Sequence, residues 1–232
     1  MKAMIFAAGR GERMRPLTDE IPKPLLKVRG RPLIVWHILN LVRAGIDEIV
    51  INHAHLGQMI EETLGDGSRF GARISYSREE KGLETAGGVA KARPLLGEEP
   101  FVAVSADIYC PHFDFSKVKD VLQEKDVWGK PHEITQRDVA WLYLVKNPSH
   151  HLEGDFALNS FSVSNEGSPR YTYSGIGIFR PEMFDSVKVG EVVRLSVILR
   201  EYIARGQVGG EVIRDFWEDV GTIERLNKLN EK

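Results

Sequence analysis

Residues 3–24 read AMIFAAGRGERMRPLTDEIPKP, and the fold turns on how this stretch is parsed. Ala3 to Ala8 is a continuous apolar run, the pattern of a central strand covered on both faces. One basic residue precedes the run and a charged loop ends it, so it reads as a buried strand and not as a signal peptide. Beyond it lie Gly9, Gly11, Arg13, Arg15 and Lys23. Glycines let a backbone approach a phosphate chain and aim N–H groups at it, and the cations add fixed positive charge. No G-x4-G-K-[ST] string exists in the chain. A dinucleotide fingerprint would need a glycine and a helix where Glu12-Arg13-Met14 and Pro16 stand. An ordinary surface loop with solvated arginines is the other reading. Three cations directly after a buried strand favour phosphate binding.

Working outward, Pro32 to Arg43 has apolar residues at helical spacing, with Gly45 where a helix stops. Glu48 to Asn52 reads as a buried strand, Leu56 to Leu64 as a short helix and Arg73 to Ser77 as an alternating strand. Gly88 to Leu96 reads as a helix frayed at Pro94, and Phe101 to Ser105 as a third apolar strand. Such β–α alternation predicts an α/β fold with a mixed, mostly parallel, doubly wound sheet. Ligands then bind beyond the carboxyl ends of the strands, so the loops after residues 8, 52 and 105 should share one rim.

Further along, Ser116 to Glu124 is predicted helical and the polar stretch Lys125 to Arg137 a surface excursion. Val139 to Val145, Ala157 to Val163 and Tyr171 to Phe179 read as strands. Ser196 to Ala204 and the chain from Gly221 read as helices. No linker marks a boundary. The expectation is one domain over residues 1–232, in two halves that meet at about residue 110.

Composition narrows the function. Of 232 residues 42% are hydrophobic and 28% charged, with a net charge of −2. No basic run suits a nucleic acid, and no apolar stretch nears the roughly 20 residues needed to span a bilayer. Cys110 is the only cysteine, which leaves no intrachain disulfide and no cysteine-based zinc site. Cytoplasmic placement is expected. The oligomeric state stays open between monomer and homodimer.

Two isolated aspartates, Asp107 and Asp219, would suit Mg²⁺, which takes one or two protein carboxylates besides water and substrate phosphate. Asp219 could instead cap the last helix. Leu83-Glu84-Thr85-Ala86-Gly87-Gly88 either admits a flat base or is a plain loop before a helix. Histidines are set aside as metal ligands: His53 and His55 sit where a strand ends, and neighbours such as His150 and His151 point to opposite faces in extended chain. No G-x-S-x-G elbow or activated cysteine offers a covalent nucleophile.

The N-terminal loop, Pro22-Lys23-Pro24 and the strand-end Asp107 together resemble the sugar-1-phosphate nucleotidyltransferase family, along essentially the whole chain. Ile51-Asn52-His53-Ala54, Asn147-Pro148-Ser149-His150-His151 and Gly154-Asp155-Phe156-Ala157-Leu158 resemble its branch that uridylylates N-acetylmuramate 1-phosphate in cell-wall recycling. The resemblance implies the nucleotide-diphospho-sugar transferase fold, with a nucleotide half to about residue 110 and a sugar half after it, Mg²⁺ as cofactor, and UTP and a sugar 1-phosphate as substrates. It implies that Ala8, Gly9, Gly11, Glu12, Arg13 and Lys23 lie along the triphosphate, with Glu80 and Gly88 at the uridine. Arg13, Lys23 and Asp107 would serve the chemistry, Asp107 and Asp219 the metal, and Ser105, Asp155 and Gly175 the sugar. Where the family commonly has Asn-Gly-Asp, this chain has Ser105-Ala106-Asp107, which hands a sugar contact to a shorter hydroxyl.

Overall fold

A computed structural model describes residues 1–122 and 138–231. The excursion expected over Lys125 to Arg137 falls outside these residues.

The strands are β1 (Ala3–Phe6), β2 (Lys27–Val28), β3 (Arg31–Pro32), β4 (Glu48–His53), β5 (Arg73–Arg78), β6 (Phe101–Ser105), β7 (Ile108–Tyr109), β8 (Ala140–Val145), β9 (Phe156–Asn159), β10 (Ser162–Ser164), β11 (Arg170–Phe179), β12 (Val208–Val212) and β13 (Glu218–Asp219). The helices are α1 (Leu17–Glu20), α2 (Leu33–Arg43), α3 (Gly57–Leu64), α4 (Glu84–Leu96), α5 (Lys117–Leu122), α6 (Leu195–Ala204) and α7 (Ile223–Asn230).

One nine-stranded sheet runs β5-β4-β1-β6-β11-β8-β12-β10-β9. The first four strands are parallel, and β8 and β12 pair in parallel again. Antiparallel β11 joins the two groups by pairing β6 on one side and β8 on the other. As its apolar run requires, β1 is covered on both faces. Ile5 packs with Ile34, Ile38, Leu41 and Ile60 on one side, and Met4 packs with Val89, Phe101 and Leu199 on the other. Burial of this kind contributes roughly 25 cal/mol per Å² of apolar surface and fixes the sheet that carries the loops.

Local departures from the sequence reading have physical causes. Helix α4 begins four residues before the expected Gly88, because Ala86 and Gly87 N–H both donate to the Val193 carbonyl, at 3.0 and 3.2 Å. An outside acceptor thus satisfies donors that a helix start leaves free. Pro94 sits inside this helix without ending it before Leu96. The strand expected over Ala157 to Val163 is a hairpin, turning at Ser160 and Phe161 between paired Asn159 and Ser162. Strand β12 has no counterpart in the sequence reading.

Candidate active site

The carboxyl ends of β1, β4 and β6 open on one cavity of about 640 Å³. Its walls are the β1 loop (Ala7 to Gly11), Lys23 and Pro24, the β4 end (Asn52, Ala54, His55), the approach to α4 (Glu80 to Gly82, Glu84, Thr85) and Ser105 to Asp107. The three loops expected to share a rim do so. Lys23 is buried in a short 3₁₀ turn, and its Nζ reaches Asp107 Oδ2 at 2.6 Å. Asp107 stays half open to the cavity.

A second cavity of about 590 Å³ adjoins the first, and Phe6, Glu84, Thr85, Ser105 and Asp107 line both. Its remaining wall carries Arg13, His150, His151, Asp155, Thr172 to Gly175, Arg194, Arg200, Trp217 and Asp219. Asp155 accepts from Tyr173 N–H at 2.8 Å and pairs with His151 at 3.1 Å. Gly175 occupies an irregularity in β11 between Tyr173 and Ile176, at φ +83°. A Cβ there would lie 2.9 Å from Ser105 Oγ, so the chain can pass this close only without a side chain. The three residues expected at the sugar therefore share this cavity.

Asp219 arrives by a long-range pairing. Strand β13 lies antiparallel to β7, and Val220 N–H donates to the Asp107 carbonyl at 2.8 Å. The capping alternative fails: Thr222 caps α7, its hydroxyl accepting from Arg225 N–H at 3.3 Å. Asp219 instead meets the Arg225 guanidinium and, at 3.2 Å, His150 Nε2. Neither approach has hydrogen-bond geometry, so buried Asp219 Oδ1 has no hydrogen-bond partner.

Ligand atoms of His150, Glu218 and Asp219 lie within 4.8 Å of one another. Asp107 is outside that group, although it shares the cavity with Asp219. His150, set aside on sequence grounds, thus belongs to the site. The rule for extended chain does not apply, since residues 149 and 150 form a turn and both histidines line the second cavity, His151 meeting Asp155 there. Burial, then the Arg225 charge, lowers the His150 pKa and favours the neutral ring. That is the form able to accept from Arg225 Nη1 at 2.8 Å.

Two expected nucleotide residues stand elsewhere. Glu12 is exposed in a 3₁₀ turn and lines neither cavity. Gly88 lies behind the wall of the first, where a Cβ would fall 2.7 Å from Asn52 Nδ2 and 3.0 Å from Glu79 Oε1. The remaining expected residues, Ala8, Gly9, Gly11, Lys23 and Glu80, line the first cavity, and Arg13 the second.

Polar residues of α2 hold the chain after Asp107. His37 Nε2–H donates to the Ile108 carbonyl and Asn40 Nδ2 to that of Pro111, each at 2.9 Å. Burial lowers the His37 pKa to about 4. Neither residue had a sequence signal beyond being polar on a helix face otherwise apolar. Cys110 is buried, and burial raises its thiol to about 12, which rules it out as a nucleophile. His53 and His55 belong to no metal cluster among the described residues: they meet Glu61 at 2.6 Å and the Thr18 carbonyl at 2.9 Å. Among those residues no helix is long and apolar enough to cross a membrane.

Residues 2–135 match the nucleotidyl transferase family. The chain is 49% identical over 232 residues to an N-acetylmuramate alpha-1-phosphate uridylyltransferase of Neisseria meningitidis, covering 98% of this chain and 96% of that protein. It is 30% identical over 229 residues to mannose-1-phosphate guanyltransferase beta-A of Xenopus laevis, spanning 95% of this chain but 61% of the relative. A solved structure from Bacillus anthracis, described as a putative glucose-1-phosphate thymidylyltransferase, superposes with a TM-score of 0.82 at 21% identity. It covers all of this chain and 94% of the other, so it shares the fold. With a family match over more than half its length and 49% identity almost end to end, the chain belongs to the nucleotidyl transferase family, among its sugar-1-phosphate nucleotidyltransferases.

Proposed function

We propose that this chain, acting as one catalytic domain, transfers UMP from UTP to N-acetylmuramate 1-phosphate and releases pyrophosphate. One observation carries the reading: Asp107, paired with Lys23 from the first cavity, stands where two cavities share a wall. A transfer between two bound phosphates needs that geometry. UTP fits the cavity beyond β1, β4 and β6, and the sugar phosphate fits the cavity walled by β11 and α6.

A phosphate oxygen of the sugar 1-phosphate attacks the α-phosphorus of UTP. A new P–O bond forms as the bond to the β-phosphate breaks, and pyrophosphate leaves with the electron pair. The attacking oxygen is already ionised near neutral pH, so no general base is required. The protein must hold the reactants in line and offset their mutual repulsion. Lys23 and Arg13 supply fixed charge from either side of the shared wall, while the β1 loop turns backbone toward the triphosphate.

Members of this family generally use a divalent metal. The residues here fit one: Asp219 Oδ1, which meets the Arg225 guanidinium without a hydrogen bond, is buried beside Glu218 and His150, and Asp107 opens on the same cavity. Carboxylates suit Mg²⁺, and we assign it to Asp107 and Asp219 with His150 and Glu218 close by. Once bound, it would offset the charge of the phosphate oxygens.

The muramate assignment rests on the 49% identical relative. It is supported by Arg194 and Arg200 on the α6 wall, whose charge a sugar with a second, lactyl anion can pair with and an uncharged hexose ring cannot. Pyrophosphate release should be measured across UTP, GTP and dTTP with N-acetylmuramate, mannose and glucose 1-phosphates. The highest kcat/KM is expected for UTP with N-acetylmuramate 1-phosphate. A preference for GTP with mannose 1-phosphate would overturn the assignment.

A further inference from the structure

At the back of the nucleotide cavity, where Asn52 lines the wall and Glu79 stands behind it, lies a polar pair to which the reaction above gives no role. Asn52, at the end of β4, and Glu79, just after β5, are 2% and 5% exposed. Asn52 Nδ2 donates to Glu79 Oε1 at 2.7 Å, and Asn52 Oδ1 accepts from Ala7 N–H at 3.1 Å. Glu79 Oε2 accepts from Leu83 N–H at 2.8 Å, at the mouth of α4. Each atom of the relay is matched, donor to acceptor.

We infer that the Asn52–Glu79 pair is a positioning element that sets the separation of the two lips of the nucleotide cavity, and with it nucleotide affinity. The inference rests on the reading of that cavity as the nucleotide site. One lip is the β1 loop, anchored through Ala7. The other is Glu80 to Thr85, anchored through Leu83. No other side chain among the hydrogen bonds described bridges the two. Gly88 belongs to the same device: any Cβ would press on both members of the pair, so the glycine is kept for the pair and not for the base. A buried carboxylate is stable only where its acceptors are used. Here both oxygens are used, and the N-terminus of α4 lies beside them.

An exchange of chemistry tests this. Glu79→Gln leaves one acceptor for two donors, so an amide N–H₂ faces a donor. Asn52→Asp sets a second carboxylate against Glu79. The double variant, Asn52→Asp with Glu79→Gln, restores every match. Its carboxylate at position 52 accepts from Ala7 N–H and from the amide at position 79, whose oxygen accepts from Leu83 N–H. Each single variant should raise the KM for UTP about tenfold, because an unmatched buried polar group moves its neighbours. The KM for the sugar 1-phosphate should change less than about twofold. The double variant should return the UTP KM to within about threefold of the parent.

Gly9→Val separates this idea from the reading beneath it, since a Cβ at Gly9 meets nothing within 4 Å and the residue lines the cavity. Loss of UTP binding in Gly9→Val, with unchanged UTP KM in both single variants, overturns the positioning role and leaves the cavity assignment standing. Unaltered UTP binding in Gly9→Val overturns both. Single variants that melt earlier but keep both KM values, or a double variant no better than the singles, reduce the pair to a fold contact and also overturn the inference.

Discussion

The two cavities are built in opposite ways. The first lies at the ends of parallel strands, and its walls, Lys23 and Pro24 apart, follow on along the chain from β1, β4, β5 and β6. The second is assembled from antiparallel β11 with its irregularity at Gly175, one face of α6, and the two-residue β7–β13 pairing. Parallel strands place their loops on one rim by topology alone. Antiparallel strands alternate their ends, so a site among them depends on particular long-range registers. The lesson is that the first cavity should tolerate change far from its loops, while the second should feel any change of register.

Asp107 belongs to the shared wall and Lys23 pairs with it from the first cavity, and the two offer the largest test. Lys23→Ala and Asp107→Ala should each lower kcat by on the order of 10²–10³, as loss of one preorganised charge does in comparable sites. Circular dichroism should remain that of the parent. Pyrophosphate release at near-normal rates in both variants would remove the wall from the chemistry and dissolve the division into two functional halves.

The next effect reports on what holds β7 in place. In the folded chain burial lowers the His37 pKa from 6.5 to about 4, so the unfolded chain takes up protons first as pH falls. Above about pH 6.5 both states are neutral and His37 adds no pH dependence. Between about 6.5 and 4 the native state loses stability, about 2 kcal/mol by pH 5, and the loss levels off below 4. His37→Gln can still donate to the Ile108 carbonyl and does not titrate. Urea melts at pH 7.5 and pH 5 should therefore show a smaller difference in the variant. An equal difference in both proteins assigns the acid sensitivity to other groups.

What the sequence discloses follows the same division. The buried first strand, its cationic loop, Lys23 and the strand-end Asp107 are legible because each is a local pattern. The approach of Asp219 to Asp107 is not, since a pairing of two residues leaves no periodicity to detect; only family resemblance implies it. The hairpin at Ser160 and Phe161 reads as one strand because Ala157, Leu158, Phe161 and Val163 keep the segment apolar on both sides of the turn, with no glycine or proline between them. The positive φ falls on Ser160, not on a glycine or asparagine that would announce it. Strand β12 is hidden by Gly209 and Gly210, whose low strand propensity masks a tertiary need: a Cβ at Gly209 would strike the Trp141 ring at 2.5 Å. Gly88 is legible as special but for the wrong partner, a base instead of two side chains.

Gly175 carries the next smaller effect and bears on register. In Gly175→Ala the new methyl must displace Ser105, and φ +83° strains any residue with a Cβ. The KM for the sugar 1-phosphate should rise about tenfold. The UTP KM should move less, although Ser105 also lines the first cavity. Equal shifts in both constants would mean that the halves communicate through Ser105 and are not separately built.

The smallest effect is the sharpest probe of separation, because it leaves the backbone alone. Asp155 lies in the second cavity only and accepts from Tyr173 N–H through Oδ2. In Asp155→Asn the amide oxygen keeps that bond, and the amide nitrogen takes the place of the oxygen that now meets the His151 ring. The local fold is thereby preserved and only an acceptor and a charge are lost. If Asp155 accepts from a sugar hydroxyl, the sugar 1-phosphate KM rises about threefold to tenfold while kcat and the UTP KM stay near the parent values. A fall in kcat with both KM values unchanged would instead place Asp155 beside the reacting phosphates. The boundary between the two cavities would then have to be redrawn to include the start of β9.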